Sequence, residues 1–265
     1  FPYTTLFRSN LSSYSGLKME VHHGHHAPKN WKEYFVEFLM LFTAVTLGFF
    51  AENVREHYIE SHRESQYMES LLADLKIDQA NLKNSIPYQQ KRVEAMDSLF
   101  LFFKNNPQAT QVPVSVVKHF KRVSWEIISY RNTTTISQLK NSGGLRLIQN
   151  KRVTDSIDVY DMRWIRIESS NNRFVTNSRD INLLEEKILD AFDSLDAYIK
   201  NNGYDNQDNI PQTGFVRINR AHLSEYLNLL ARQQTITRQD IRSYKRALQT
   251  TENLMAIIKN EYNLP

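Results

Sequence analysis

The 265-residue chain has no cysteine, only 7 glycines and 7 prolines, and almost no excess of charge, with 33 Lys+Arg against 29 Asp+Glu. Without cysteine there is no disulfide framework, no thiol nucleophile and no thiolate-held zinc or iron–sulfur cluster. Glycine stands at about 3% against an ordinary level near 7%, and alternating Val/Ile/Thr/Tyr runs are scarce, which argues against all-β and doubly wound α/β folds. No phosphate-cradling glycine loop, G-x-S-x-G elbow or G-x-G-x-x-G run exists, and the acidic residues are scattered as on solvated helix faces. No acid/base pair can be nominated from such a pattern, so neither an enzyme nor a cofactor is expected. A net charge of +4 and a pI near 9.1 point only weakly to anionic surroundings. The length allows one or two domains with a real core.

What is present begins with an odd start. Residues 1–9, FPYTTLFRS, read as the translation of a common sequencing adapter, so residues 1–18 are set aside as non-native and Met19 is the expected start. Residues 19–30 follow as a polar tail bearing His22, His23, His25 and His26. Imidazole suits Zn²⁺ or Ni²⁺, but no carboxylate pair or cysteine completes a rigid set, and a solvated tail is the expectation. His57 and His62 are five apart, on different helix faces, whereas a metalloprotease helix needs four.

Residues 34–51, YFVEFLMLFTAVTLGFFA, form the longest apolar run. Eighteen helical residues span roughly 27 Å, close to the ~30 Å hydrocarbon core of a bilayer. Trp31 and Tyr34 stand where an interfacial aromatic belt would, and the exit, LGFFAE, lacks the small residues of a signal-peptidase site. An uncleaved transmembrane anchor over residues 31–52 is therefore expected. Lys18, itself among the residues set aside, Lys29 and Lys32 precede the apolar run and Arg55 and Arg63 follow, a small bias toward a cytoplasmic N-terminus. The resulting expectation is a single-pass protein of the cell inner membrane with a periplasmic C-terminal domain.

Residues 53–265 read as a helical domain. Met68, Leu71, Leu72, Leu75 and Leu82 make one stripe before Pro87, which marks a kink or turn. A second amphipathic segment covers 88–104, and a third covers 114–130 with Val117, Phe120, Trp125 and Ile128 on its apolar face. A short helix opens at Thr133–Thr135 and stops at Gly143-Gly144. From 150 to 201 a near-heptad, coiled-coil-like seam runs through Val153, Trp164, Ile188, Phe192, Leu195 and Ile199, with Asn171 on it as a bend or wet layer. Residues 203–214 read as loop and 221–230 as helix. Thr237 then opens the last helix as a capping-box variant. The fold class expected is all-α: one N-terminal transmembrane helix followed by an antiparallel bundle with long helices.

Two blocks, EYFVEFLMLFTAVTLGFFAENVREHYIESHRESQYMESLLADLK and NTTTISQLKNSGGLRLIQNKRVTDSIDVYD, carry a resemblance. The chain resembles a functionally uncharacterised family of Bacteroidota-type single-pass, membrane-anchored helical proteins. The resemblance covers about a quarter of the chain. It implies a topology and a compartment, and no activity, cofactor or catalytic residue.

Two sets of residues are candidates for interaction. Glu37, Ala44, Gly48 and Glu52 fall along one side of the anchor, with Ala44 and Gly48 as a small-xxx-small pair that lets another helix approach. Arg238, Arg242, Lys245 and Arg246 make a basic stripe on the last helix, suited to phospholipid or an acidic partner. The expected function is a non-catalytic interaction or sensory-input module held at the bilayer. Its expected partners are the lipid bilayer and a second copy or another transmembrane subunit, with no nucleic acid. The rivals are a membrane-tethered enzyme with a site assembled inside the bundle, or a scaffold facing lipid or nucleic acid.

Overall fold

A computed structural model describes residues 30–125, 128–204 and 213–265, and the chain divides into two units, Phe1–Glu56 and His57–Pro265. Helix accounts for 84% of the described residues. These residues contain α1 (Trp31–Asn105), α2 (Val114–Ser124), α3 (Thr134–Asn141), α4 (Lys151–Ile188), α5 (Ala191–Lys200) and α6 (Leu223–Tyr262). One two-stranded antiparallel sheet pairs β1 (Gln111–Pro113) with β2 (Phe215–Arg217), Val112 facing Val216. The fold is all-α.

Within the first unit, the described part of α1 leaves nearly every side chain exposed, from Trp31 through Phe42 to Phe50; Glu37 is half-buried. Within the second unit, polar contacts fix the helix directions. Gln79 and Asp97 of α1 meet Glu252 and Gln234 of α6 at 2.9 and 2.7 Å, so these two helices run antiparallel. Asp78 and Arg92 of α1 meet Tyr160 and Ser178 of α4, so these two run parallel. Ser170 and Asn177 of α4 meet Asp240 and Gln233 of α6.

The core comes in two apolar clusters along these helices. One uses Leu71, Leu75, Ile157, Trp164 and Leu254; the other uses Met96, Leu99, Phe120, Ile188 and Tyr226. The stretches of α1, α4 and α6 between them are polar and buried. Arg92, fully buried, donates to the Trp125 carbonyl (3.0 Å) and to Ser178 Oγ (3.1 Å), with its guanidinium 4.4 Å from the Phe174 ring centroid. Asn177 donates to Gln233 Oε1 at 2.7 Å, and Ser170 donates to Asp240 at 2.5 Å. A buried polar layer of this kind is tolerable because its members bond one another, and it fixes the register of the three helices. Asn171 belongs to it, donating to the Ser129 carbonyl at 3.2 Å and accepting from Tyr244 at 3.4 Å, while α4 continues through the position.

Several expected boundaries are corrected. Pro87 does not end a helix: α1 passes through it. Proline removes the bond to the carbonyl four residues back, here that of Lys83. Both Lys83 and Pro87 face solvent, where water can take up the freed carbonyl, while Leu82, Ile86 and Val93 hold the flanking turns in the core. The third helix stops at Ser124 rather than 130, with Trp125 extended and 52% exposed, because the following chain is tied elsewhere. Asn132 donates its backbone N–H to Asp78 (2.7 Å) and its amide to Asp74 (2.8 Å), while Asp74 also accepts from Thr135 N (2.9 Å) at the start of α3. Gly143, in the left-handed region at φ 69°, follows α3 as read from the sequence.

The 150–201 seam breaks at Leu189-Asp190. Leu189 bridges Ile218, and Asp190 caps α5 by accepting from the N–H groups of Phe192 and Asp193, both at 3.0 Å. Beyond that break the seam positions face solvent: Phe192 is 83% exposed, Leu195 58% and Ile199 64%. Thr237 is no cap either. It is buried within α6 and donates back to the Gln233 carbonyl at 2.9 Å, since nothing between 231 and 237 breaks the helix.

Candidate functional site

The structure gathers a site that the motifs did not name. Lys118, Lys121, Arg122 and Trp125 recur at three-, four- and seven-residue spacing, which puts them on one face of α2 and its exit. The opposite face, Val114, Val117, Phe120 and Val123, is buried and seats the helix in the core. The exposed face borders a cavity of about 480 Å³ closed on its other side by Tyr198, Asn202, Gly203 and Tyr204.

Each wall is fixed by the local sequence. Glu185 of α4, 4% exposed, accepts from Lys121 at 2.6 Å and from the Ser124 hydroxyl, which clamps α2 to α4. Asn202 and Gly203 turn the chain after α5 at φ 51° and 94°; the second value requires glycine. The Gly203 N–H returns to the Tyr198 carbonyl at 2.9 Å. Tyr204 then donates to the Ser194 carbonyl, and its ring meets Tyr198 edge-on with centroids 5.4 Å apart. Asn201 holds the turn from behind, donating to the Ala197 and Thr213 carbonyls at 2.8 and 3.1 Å.

Three cations line the cavity, and no carboxylate stands among the described lining residues. His119, between Lys118 and Lys121, is held down to about 4 by its burial and by the charges of Lys118 and Arg122. It is neutral at pH 7 and adds no charge. Burial pushes the Tyr204 hydroxyl up as well, so it stays a neutral donor.

The other buried acids lie elsewhere and are engaged. Asp161 accepts from Arg131 (2.6 Å) and Lys140 (2.5 Å). Burial pushes its pKa up, but the bonds and charges of Lys140 and Arg131 outweigh it and hold the carboxyl below its usual range. Burial pushes Asp78 up, against its bonds from Tyr160 and Asn132. Burial also pushes Asp240 up, against the bond from Ser170. These groups tie the 128–135 segment and α6 to the long helices.

The residues singled out from the sequence are dispersed. His22, His23, His25 and His26 lie outside the described residues. His57 and His62 are exposed on α1, with His62 3.2 Å from Gln66. Among the described residues no three of His, Asp or Glu come together as a metal-holding group. Ala44 and Gly48 are exposed, and a Cβ added at Gly48 would meet nothing within 4 Å. Glu52 is exposed and bonds Arg55 at 2.5 and 2.9 Å. On α6, Arg238 pairs with Asp97 at 3.1 Å and, with Arg242, borders a shallow groove against α1. Lys245 and Arg246 face solvent. No family model, curated protein or solved structure matches the chain.

Proposed function

We propose that the protein is a membrane-anchored, non-catalytic helical module that receives an input or a partner. One observation carries this reading: α1 contains an 18-residue window of mean hydropathy 1.8 of which 0% is buried. The core helix of a soluble protein hides such a run; here lipid is the cover that fits apolar side chains on every side of a helix. The second unit is the soluble part, a bundle in which α1 and α4 run parallel, rather than all helices alternating as expected from the sequence, and α6 runs antiparallel to both, with the shorter helices laid on it. The resemblance to anchored helical proteins supports the same arrangement, and the lysines before the run favour an N-terminus inside and residue 265 outside the inner membrane.

Two measurements test the reading. The full chain, expressed in bacteria, resists carbonate extraction and floats with membranes. A periplasm-dependent reporter fused after Pro265 is active. Release by carbonate removes the anchor, and activity of a cytoplasm-only reporter at the same position reverses the topology.

The side of the anchor bearing Glu37, Ala44, Gly48 and Glu52 is the face proposed to meet a second transmembrane helix, from another copy or another subunit. Small residues allow close backbone approach there.

A further inference from the structure

We propose that the outer side of the α4–α6 pair is a docking surface for an acidic, amphipathic helix of a partner protein. The inference concerns the second unit alone and does not rest on the anchor reading.

The packing of the two helices builds the surface. They run antiparallel, with Ser170 level with Asp240 and Asn177 level with Gln233. Toward α1, α4 turns Tyr160 and Ser178, and α6 turns Gln234 and Glu252. Val159, Met162, Arg166 and Arg173 recur at three-, four- and seven-residue spacing, which makes one exposed stripe on the side of α4 away from α1. Arg232 and Arg246 are exposed on the side of α6 away from α1. The register sets Arg246 within a turn of the level of Arg166 and puts Arg232 beyond the level of Arg173.

This strip carries positive charge without exposed acids to balance it. Over residues 162–179 the one acid is Glu168, which accepts from Arg131 at 3.0 Å. Over residues 231–251 it is Asp240, which is buried, bonded to Ser170 and within the field of Arg173. Asp180 closes the strip at its Arg232 end. Among the described residues Arg166, Arg173, Arg232 and Arg246 enter no ion pair, whereas Arg238, on the α1 side, has Asp97 at 3.1 Å.

The composition and spacing favour a protein helix as the occupant. Val159 and Met162 are 51% and 52% exposed beside the arginines. Arginine and methionine are enriched, and acids depleted, where proteins bind one another. Arg166 and Arg173 lie two helical turns apart, about 10.5 Å. A helix with an acid at every seventh residue presents carboxylates at that spacing, and each can take a guanidinium fork. Ser169 and Ser243 keep the middle of the strip low. Single-stranded nucleic acid would stack on exposed aromatics, but Trp164, Phe174 and Tyr244, the aromatics of these stretches, are buried. A bilayer surface would take bulky apolar residues along the whole strip, and here they stand only at its Val159–Met162 end.

The test uses the full chain in phosphatidylcholine nanodiscs. The probe is a labelled synthetic helix of about 20 residues, long enough to cover the strip, with Glu and Leu each repeated every seventh residue on one face. Fluorescence anisotropy is read at about 150 mM salt, where diffuse surface attraction is screened. Saturable binding at one site per chain is expected. Arg166→Gln and Arg246→Gln should each weaken it about tenfold, the equivalent of one lost charge-assisted contact. Met162→Ala should weaken it as well. Lys245→Gln, next to Arg246 but on the α1 side, should leave it unchanged. A probe with Gln in place of Glu should bind at least about tenfold less well. Circular dichroism checks that each variant keeps its fold. Lack of saturable binding overturns the proposal, as does equal affinity for the Gln probe or an equal loss with Lys245→Gln. Tighter binding of a DNA duplex through Arg166 and Arg246 would assign the surface to nucleic acid. Loss of probe binding in phosphatidylglycerol discs would assign it to lipid headgroups, and either result overturns the partner helix. Carbonate extraction is independent of all these outcomes, so failure here leaves the anchor reading intact.

Discussion

Residues 34–51 and residues 68–103 share one helix and are both rich in apolar side chains, yet they meet different surroundings. In the first stretch Leu41 is 69% exposed and Phe49 74%; in the second Leu75 and Met96 are fully buried. The difference lies in angular distribution. Residues 68–103 gather most of their large apolar groups on one stripe, with Ile77 and Leu101 outside it, and put mainly polar and charged side chains on the rest, so neighbouring helices on one side cover the stripe. Residues 34–51 are apolar all round, and no packing on one side covers such a surface. Hydrophobic content alone does not separate the two stretches; the arrangement around the axis does.

The sharpest way to break that comparison is to place the same charge on both stretches. Leu75→Asp should unfold the second unit, because burying an unpaired carboxylate costs several kcal/mol against a total stability of ~5–15 kcal/mol. Leu41→Asp should leave the melting transition in place and instead reduce membrane retention, since aspartate near the middle of a transmembrane helix costs about 3 kcal/mol. Thermal melts followed by circular dichroism, beside carbonate extraction, separate the two. A melt displaced equally by both variants would show that residues 34–51 are part of a protein core.

The same contrast of covered and open apolar surface recurs across the break after α4. Ile188 is 0% exposed and Phe192, four residues on, is 83% exposed. Ile188→Ala should cost about 2–5 kcal/mol, as large-to-small changes in packed cores do. Phe192→Ala should stay within ~0.5 kcal/mol. Denaturant titration of both variants reads this directly, and a large loss at Phe192 would mean that the surface of α5 is covered.

How much of this was legible follows from what is local. Helix content and the stripe through Met68, Leu75 and Leu82 are properties of side-chain spacing, and they appear in the sequence as they do in the fold. The break at Leu189-Asp190 was half legible: Asp190 is an N-cap residue, but the near-heptad run through Phe192 and Ile199 masked it. Pro87 misled because its effect depends on which way the freed carbonyl faces, a tertiary fact. The pairing of Val112 with Val216 joins short segments about a hundred residues apart, and three-residue strands leave no periodicity to detect. The cavity was legible on one side only. The face of Lys118, Lys121, Arg122 and Trp125 can be read from its spacing, whereas Tyr198 and Tyr204 reach it through the fold.

A smaller effect belongs to a polar group at the border of covered and open surface. His119 is held at about 4, chiefly by burial, with Lys118 and Arg122 adding repulsion. Its ordinary value is 6.5, so between pH 6.5 and 4 the unfolded chain binds the extra proton and the folded chain does not. Stability from this group is complete above pH 6.5 and falls as pH drops toward 4. Partial exposure screens the effect, leaving a loss on the order of 1 kcal/mol. His119→Asn should flatten that part of the pH–stability curve, and an unchanged curve would show that His119 titrates normally.

The last test asks whether the open surface of residues 34–51, the proposed anchor, is covered by lipid alone. Gly48 has free space around its Cβ position, and as a helical glycine its replacement by a larger residue creates no clash within the chain. Gly48→Ile therefore leaves the protomer intact, and any change it causes reports on a neighbour. If the Glu37, Ala44, Gly48 and Glu52 side packs against another helix, the added side chain holds the backbones apart and association drops. Leu39→Ile, on the side bearing Phe35, Phe38 and Phe42, keeps volume and apolar character and should leave association unchanged. Crosslinking in native membranes, with a transmembrane two-hybrid readout as an independent measure, compares the two variants. The expected difference is modest, since packing between membrane helices gains little beyond what lipid already provides. Equal association for both variants would leave lipid as the sole cover of residues 34–51 and reduce the anchor to a tether.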